Sequence, residues 1–154
     1  MRLTFGPYIP TLLKHSLLIL ICCVFLTACS KTDEPIEPKQ QVVQYLTGLG
    51  NKIWRIKEVY VNGTKQTLTT SQLTYTKTYT TYGYSEAYTG VFSDSDGSLG
   101  NWKVVDATHI HDTITNNPGG NIDLDLTIRH LDANNMDVEY TKNGQTVRSV
   151  YFAY

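Results

Sequence analysis

Along the C-terminal half of the chain, apolar and polar positions alternate one by one. Ile122, Leu124, Leu126 and Ile128 interleave with Asp123, Asp125, Thr127 and Arg129, and Met136, Val138 and Tyr140 with Asp137 and Glu139. Successive side chains of a strand project to opposite faces, so this period is that of strands with one buried and one wet face. Asn143-Gly144 comes next. Such a pair accepts the two positive-φ positions of a type I′ turn and predicts a hairpin into a strand from Val147 to Ala153. Upstream, Ile53 to Val61 reads as a strand ended by Asn62-Gly63. Further strand-forming segments lie near Leu68 to Tyr82, Glu86 to Phe92, Leu99 to Val105 and Thr108 to Thr115. Asp94-Ser95-Asp96-Gly97 and Asn116-Asn117-Pro118-Gly119-Gly120 divide them. Eight or nine short strands with turns between them predict an antiparallel barrel or sandwich. One helix is predicted over Gln41 to Leu49, with Val42, Val43, Leu46 and Leu49 on one face and Gly48 and Gly50 ending it. It is too short to stand alone, so it packs on the sheet or plugs one end.

The N-terminal segment is patterned differently. Leu17 to Ala28 is an apolar run of 12 residues, preceded only by the positive charges Arg2 and Lys14, with no acidic residue before Asp33. A bilayer-spanning helix takes about 20 residues, so the run has the length of a signal-peptide core behind a basic n-region. Leu26-Thr27-Ala28-Cys29, at its end, resembles the lipobox of bacterial lipoproteins. The resemblance implies cleavage before Cys29, diacylglycerol on its sulfur and usually a third chain on its new amino group. Each buried methylene adds about 0.8 kcal/mol of membrane affinity and stable anchoring takes two chains, so such an anchor is effectively permanent. Cys22 and Cys23 leave with the signal, and the single remaining cysteine is acylated, which leaves no disulfide framework. Ser30, in place of an aspartate after the cysteine, implies an outer-membrane address in a diderm envelope. The acidic cluster in the following Lys31-Thr32-Asp33-Glu34 resembles a surface-export signal, but a solvated tether looks the same and is the preferred reading. Pro35, Pro38 and charges give Ser30 to Gln41 a linker composition. The expected organisation is a signal peptide over 1–28, an acylated cysteine and tether over 29–41, and one domain over 42–154.

Charge excludes some partners. Removing residues 1–28 takes away two of the 13 basic residues and none of the 14 acidic ones, leaving 11 against 14. That balance, without a basic stripe, argues against nucleic acid. The remaining length suits one modest core.

A short helix followed by Gly50-Asn51-Lys52-Ile53-Trp54-Arg55-Ile56-Lys57-Glu58-Val59-Tyr60-Val61-Asn62-Gly63, with Gly100-Asn101-Trp102-Lys103-Val104 in the middle of a meander, resembles the lipocalin-like domains of bacterial lipoproteins over residues 45 to 154. The nearest glycine before Trp54 is Gly50, four positions away rather than two; Gly100 has the tighter spacing but precedes a middle-strand tryptophan, Trp102. The resemblance implies an all-β antiparallel meander closing into a barrel of about eight strands. It also implies non-catalytic binding of a small amphipathic or hydrophobic ligand, with Trp54, Tyr75, Tyr79, Tyr88 and Trp102 as the candidate contacts. Eight strands enclose a space just wide enough to be filled by side chains or to hold one small ligand. Large inward residues such as Trp54, Tyr75, Tyr79, Trp102 and Tyr140 therefore also predict a filled interior. A filled barrel would work through its surface, and Leu73 to Tyr88, with Tyr75, Tyr79, Tyr82, Tyr84 and Tyr88 among threonines, suits contact with an envelope protein or a glycan. The same residues are also simply good strand formers.

Catalytic patterns do not assemble. His109 and His111 share a strand face, but zinc needs three or four protein ligands and no third has a case. Asp94-Ser95-Asp96-Gly97 opens like a calcium loop without the later ligands or closing glutamate. No G-x-S-x-G elbow is present. The expectation is no enzyme, no metal and no cofactor. Asp112-Thr113-Ile114 resembles a bacterial O-glycosylation triplet, which makes Thr113 a candidate modification site, whereas Asn62-Gly63-Thr64 is explained by its turn.

Overall fold

The computed structural model describes residues 35–82 and 88–154. The expected signal peptide, Cys29, the tether through Glu34 and the expected strand start at Glu86 lie outside the described residues. Helix α1 (Pro38–Thr47) leads into β1 (Asn51–Val61), β2 (Thr64–Lys65), β3 (Thr76–Thr81), β4 (Thr89–Asp94), β5 (Leu99–Asp106), β6 (His109–Ile114), β7 (Ile122–Leu131), β8 (Asn135–Lys142) and β9 (Gln145–Ala153). From β3 onward every strand pairs antiparallel with the next, β1 pairs with β3, and β9 returns to pair with β1. Eight strands thus close a meander barrel, the all-β lipocalin-like architecture with one short helix. β2 is a small return strand on the second half of β1, turned by Asn62 (φ 49°) and Gly63 (φ 79°). Asn143 (φ 51°) and Gly144 (φ 74°) turn β8 into β9 in the same way.

Two expectations shift in detail. The helix begins at Pro38 rather than Gln41, because proline in the first turn lacks only an N–H that would find no intrahelical partner there. The strand expected from Leu68 to Tyr82 starts only at Thr76; Gln72–Thr74 form a 3-10 turn instead. Thr69 and Gln72 explain the break. The Thr69 N–H donates to Gln72 Oε1 at 2.9 Å and the Gln72 N–H to Thr69 Oγ1 at 3.2 Å, the reciprocal pairing of a capping box.

Strand directions define two ends. The helix end carries the start of β1, the β5–β6 and β7–β8 turns and the C-terminal residues; the turn end carries the β1–β2, β4–β5 and β8–β9 turns. Helix α1 packs against β1, β3, β5 and β7 and buries Val42, Leu46 and Thr47. Among the described residues, no helix is long and apolar enough to cross a membrane.

Between the ends the lumen is packed. Trp54, Ile56, Tyr79, Phe92, Trp102, Val104, Ile110, Leu126, Met136 and Val138 are buried there. Two strand glycines make room for the largest rings. Gly90 pairs with Trp102 and Gly100 with Phe92. A Cβ on Gly90 would fall 2.6 Å from the Trp102 ring and 2.0 Å from the Thr80 carbonyl oxygen, and one on Gly100 2.6 Å from the Phe92 ring and 2.1 Å from the Thr113 carbonyl oxygen. Tyr79 then packs edge-on to Trp102, ring centres 6.3 Å apart, and tilted against Phe92 at 6.1 Å.

Candidate functional site

Three of the five residues expected to touch a ligand meet in this core. Trp54, Tyr79 and Trp102 are each 1% exposed or less. A void able to hold water would leave area open on these rings, so they fill the lumen rather than line a space within it. Their polar tips are used internally. Trp54 Nε1 donates to the Leu46 carbonyl at 2.9 Å, joining helix to barrel, and the Lys52 ammonium lies 4.2 Å from the indole centre. Trp102 Nε1 is shared between the Thr80 and Val91 carbonyls, both at 3.0 Å. Tyr79 donates to Asp112 Oδ2 at 2.7 Å.

The other two pack against the edge of this core. Tyr75 precedes β3, is half-buried, and donates to Asp94 Oδ2 at 3.1 Å. Burial pushes its phenol far up, with Tyr151 and Asp94 adding to the shift, so it acts as a hydrogen-bond donor. Tyr88 lies at the helix end with φ 47°; its hydroxyl bonds Glu37 and its ring lies 5.8 Å from the Lys39 ammonium.

At the middle of the barrel is a pair that the sequence reading did not single out. Lys77 reaches from β3 to Asp112 on β6, Nζ to Oδ2 2.6 Å, with Lys77 8% exposed and Asp112 0%. The same ammonium lies 4.1 Å from the Phe92 ring centre and 5.0 Å from that of Tyr79, so aromatic faces share its charge. Tyr79 is held well above its ordinary value, first by burial and then by the Asp112 carboxylate. Asp112 Oδ1 is fully buried and has no hydrogen-bond partner among the described residues. The signal was strand parity. Lys77 sits in step with Tyr75 and Tyr79, and Asp112 in step with Ile110 and Ile114, so alternation turns both charges inward. Chemically, the cluster is a neutralised ion pair with one acceptor oxygen unspent.

The outer wall over β6 and β7 is acidic and histidine-bearing. His111 Nδ1 lies 2.6 Å from Asp125 Oδ1 and its Nε2 3.3 Å from Asp123 Oδ1, and the Asp125 contact raises its pKa. Thr113 donates to Asp123 Oδ1 at 2.7 Å. Its motif neighbour Asp112 is on the inner face, so the folded barrel displays only the threonine outward. His109 pairs with Asp106 at 3.0 Å. Among the described residues, no group of three or more His, Cys, Asp or Glu side chains is placed to hold a metal. A separate open hollow of about 420 Å³ lies outside the barrel beside β2, lined by Lys57, Glu58, Lys65, Gln66, Thr67, Leu68 and Leu73. Glu58 there accepts from Lys65 at 2.7 Å and from Tyr60 at 2.6 Å.

Comparison with protein families, with curated proteins and with solved structures finds no match for this chain.

Proposed function

We propose that this chain is a bacterial outer-membrane lipoprotein, anchored through acylated Cys29, whose barrel is a non-catalytic interaction module working through its outer surface. The packed lumen supports this reading: Trp54, Tyr79 and Trp102 leave no area for a guest and spend their polar atoms on the helix, on the β3 and β4 carbonyls and on Asp112. What such a barrel offers is its walls. One is neutral, with Thr76, Thr78 and Thr80 outward on β3, and the other carries Asp123, Asp125 and His111. A partner protein or glycan of the envelope would be bound there.

A carrier of a small amphipathic ligand is the second reading, and Asp112 Oδ1 favours it, because a guest donating one hydrogen bond would complete that oxygen. Native mass spectrometry of the full-length protein from its own envelope, before and after organic extraction, decides between them. The module reading expects the polypeptide and its acyl chains alone. An additional extractable mass at one copy per chain would overturn it in favour of the carrier.

A further inference from the structure

Ten large apolar side chains are exposed among the described residues, and seven of them stand at the helix end. Backbone pairing gathers five of these around the start of β1. The Tyr154 N–H bonds the Ile53 carbonyl at 2.9 Å, Phe152 pairs with Arg55, and the Thr81 N–H bonds the Gly50 carbonyl at 2.9 Å, bringing Tyr82 beside Leu49. Leu49 is wholly exposed, Tyr154 73% and Tyr82 69%. The Arg55 guanidinium lies 5.2 Å from the Tyr154 ring centre.

The same end receives the N-terminal chain. Glu37 is held at this rim by the Tyr88 hydroxyl, and Ile36 before it is exposed. Cys29 precedes Ile36 by seven residues, a covalent span of about 25 Å at full extension. A barrel joined to a bilayer by so short a chain keeps its helix end at the membrane surface. Tyrosines with apolar bodies and polar tips, aliphatic side chains and an arginine are the mixture that settles at headgroup level. The carboxylates described at this end are Glu37, held by the Tyr88 hydroxyl, Asp106 on the β5–β6 turn, and Asp132 on the β7–β8 turn beside Phe152, where His130 and the Asn134 and Asn135 N–H groups occupy it.

We infer that the patch of Leu49, Ile53, Tyr82, Phe152 and Tyr154 docks on the lipid surface, seating the barrel with its helix end down and tilted toward β1. This rests on acylation at Cys29. The occupant is the bilayer interface rather than a partner protein, because the tether brings this end to lipid before anything else.

The test uses the full-length acylated protein reconstituted into phosphatidylethanolamine–phosphatidylglycerol vesicles. Leu49→Cys and, separately, Asn117→Cys at the turn end carry a nitroxide; Leu49 makes no buried contact, so the label does not threaten folding. Collision with oxygen is compared with collision with an aqueous nickel chelate. The oxygen-to-nickel ratio is expected to be several-fold higher at Leu49 than at Asn117, and to fall when Tyr154→Asp is added. Equal ratios in protein that floats with the vesicles would overturn docking while leaving the anchor intact. Protein that does not float would overturn the Cys29 reading and the docking with it.

Discussion

Lys77 and Asp112 meet across the lumen at 2.6 Å, and the bond ties β3 to β6, strands that share no backbone pairing. Removing two charges from water costs several kcal/mol per ion, and their attraction offsets this only while both are present. Lys77→Met should therefore cost about 3–5 kcal/mol, since it leaves a buried carboxylate with Tyr79 alone. The double variant Lys77→Met with Asp112→Leu should recover most of that loss. Urea unfolding of the four members of the cycle checks it. Losses that simply add would show that the pair is not the coupled unit described here.

Gly90 is the second point of sharp sensitivity. Its missing Cβ is the space occupied by the Trp102 ring, and the Thr80 carbonyl closes the other side at 2.0 Å. The ring is locked by two carbonyl acceptors and cannot yield freely. Gly90→Ala should destabilise by about 3 kcal/mol, at the upper end of the usual cost of overpacking, despite the better strand propensity of alanine. A calorimetric midpoint equal to that of the parent protein would show that strand and ring part more easily than their contacts indicate.

Much of the barrel was legible because its amphipathy is regular. Ile122 to Ile128 and Met136 to Tyr140 alternate without interruption, and both Asn-Gly pairs sit at positive φ where the hairpins required them. The segment before β3 was not, since its threonines and leucines suit strands and a single Thr69–Gln72 reciprocity decides for a turn. At the candidate site, the inward direction of Trp54, Tyr79 and Trp102 follows from parity. Whether they line a space or fill it depends on which residue faces each ring across the ladder. That partner is glycine twice, and register was not readable. Lys77 and Asp112 escaped notice because their charge suggested water while their parity pointed to the core.

Acidity acts on this barrel in two opposite directions. Asp125 at Nδ1 raises the His111 pKa above its unfolded value near 6.5, so the folded state holds that proton more tightly. The stabilisation from His111 is fully present below about pH 6.5 and is lost as pH rises through the folded value. Asp106 runs the other way. The Thr108 backbone N–H, the Thr108 hydroxyl and His109 lower it from 3.8 to about 2, so its contribution is present above pH 3.8 and is lost as pH falls toward 2. His111→Asn should flatten the decline of stability on the alkaline side and leave the acid limb unchanged, which a midpoint series against pH will read directly. An unaltered alkaline limb would remove His111 as its cause.

Attachment at Cys29 is open to a direct test that does not depend on the barrel. Two or three long acyl chains at about 0.8 kcal/mol per methylene hold a protein in a bilayer essentially without dissociation, whereas a surface patch of a few side chains holds it weakly and reversibly. Cys29→Ser, placed behind an ordinary cleavable secretion signal so that no apolar leader is retained, should therefore leave the membrane fraction for the soluble envelope fraction. The parent protein should lose residues 1–28 and gain the mass of its acyl groups, and its partition should be insensitive to salt and to carbonate wash. If the serine variant stays with the membrane through both washes, something other than the thioether-linked lipid holds this protein there. The exposed patch at the helix end would then be the first place to look, because Leu49, Tyr82 and Tyr154 are the largest apolar surfaces it offers.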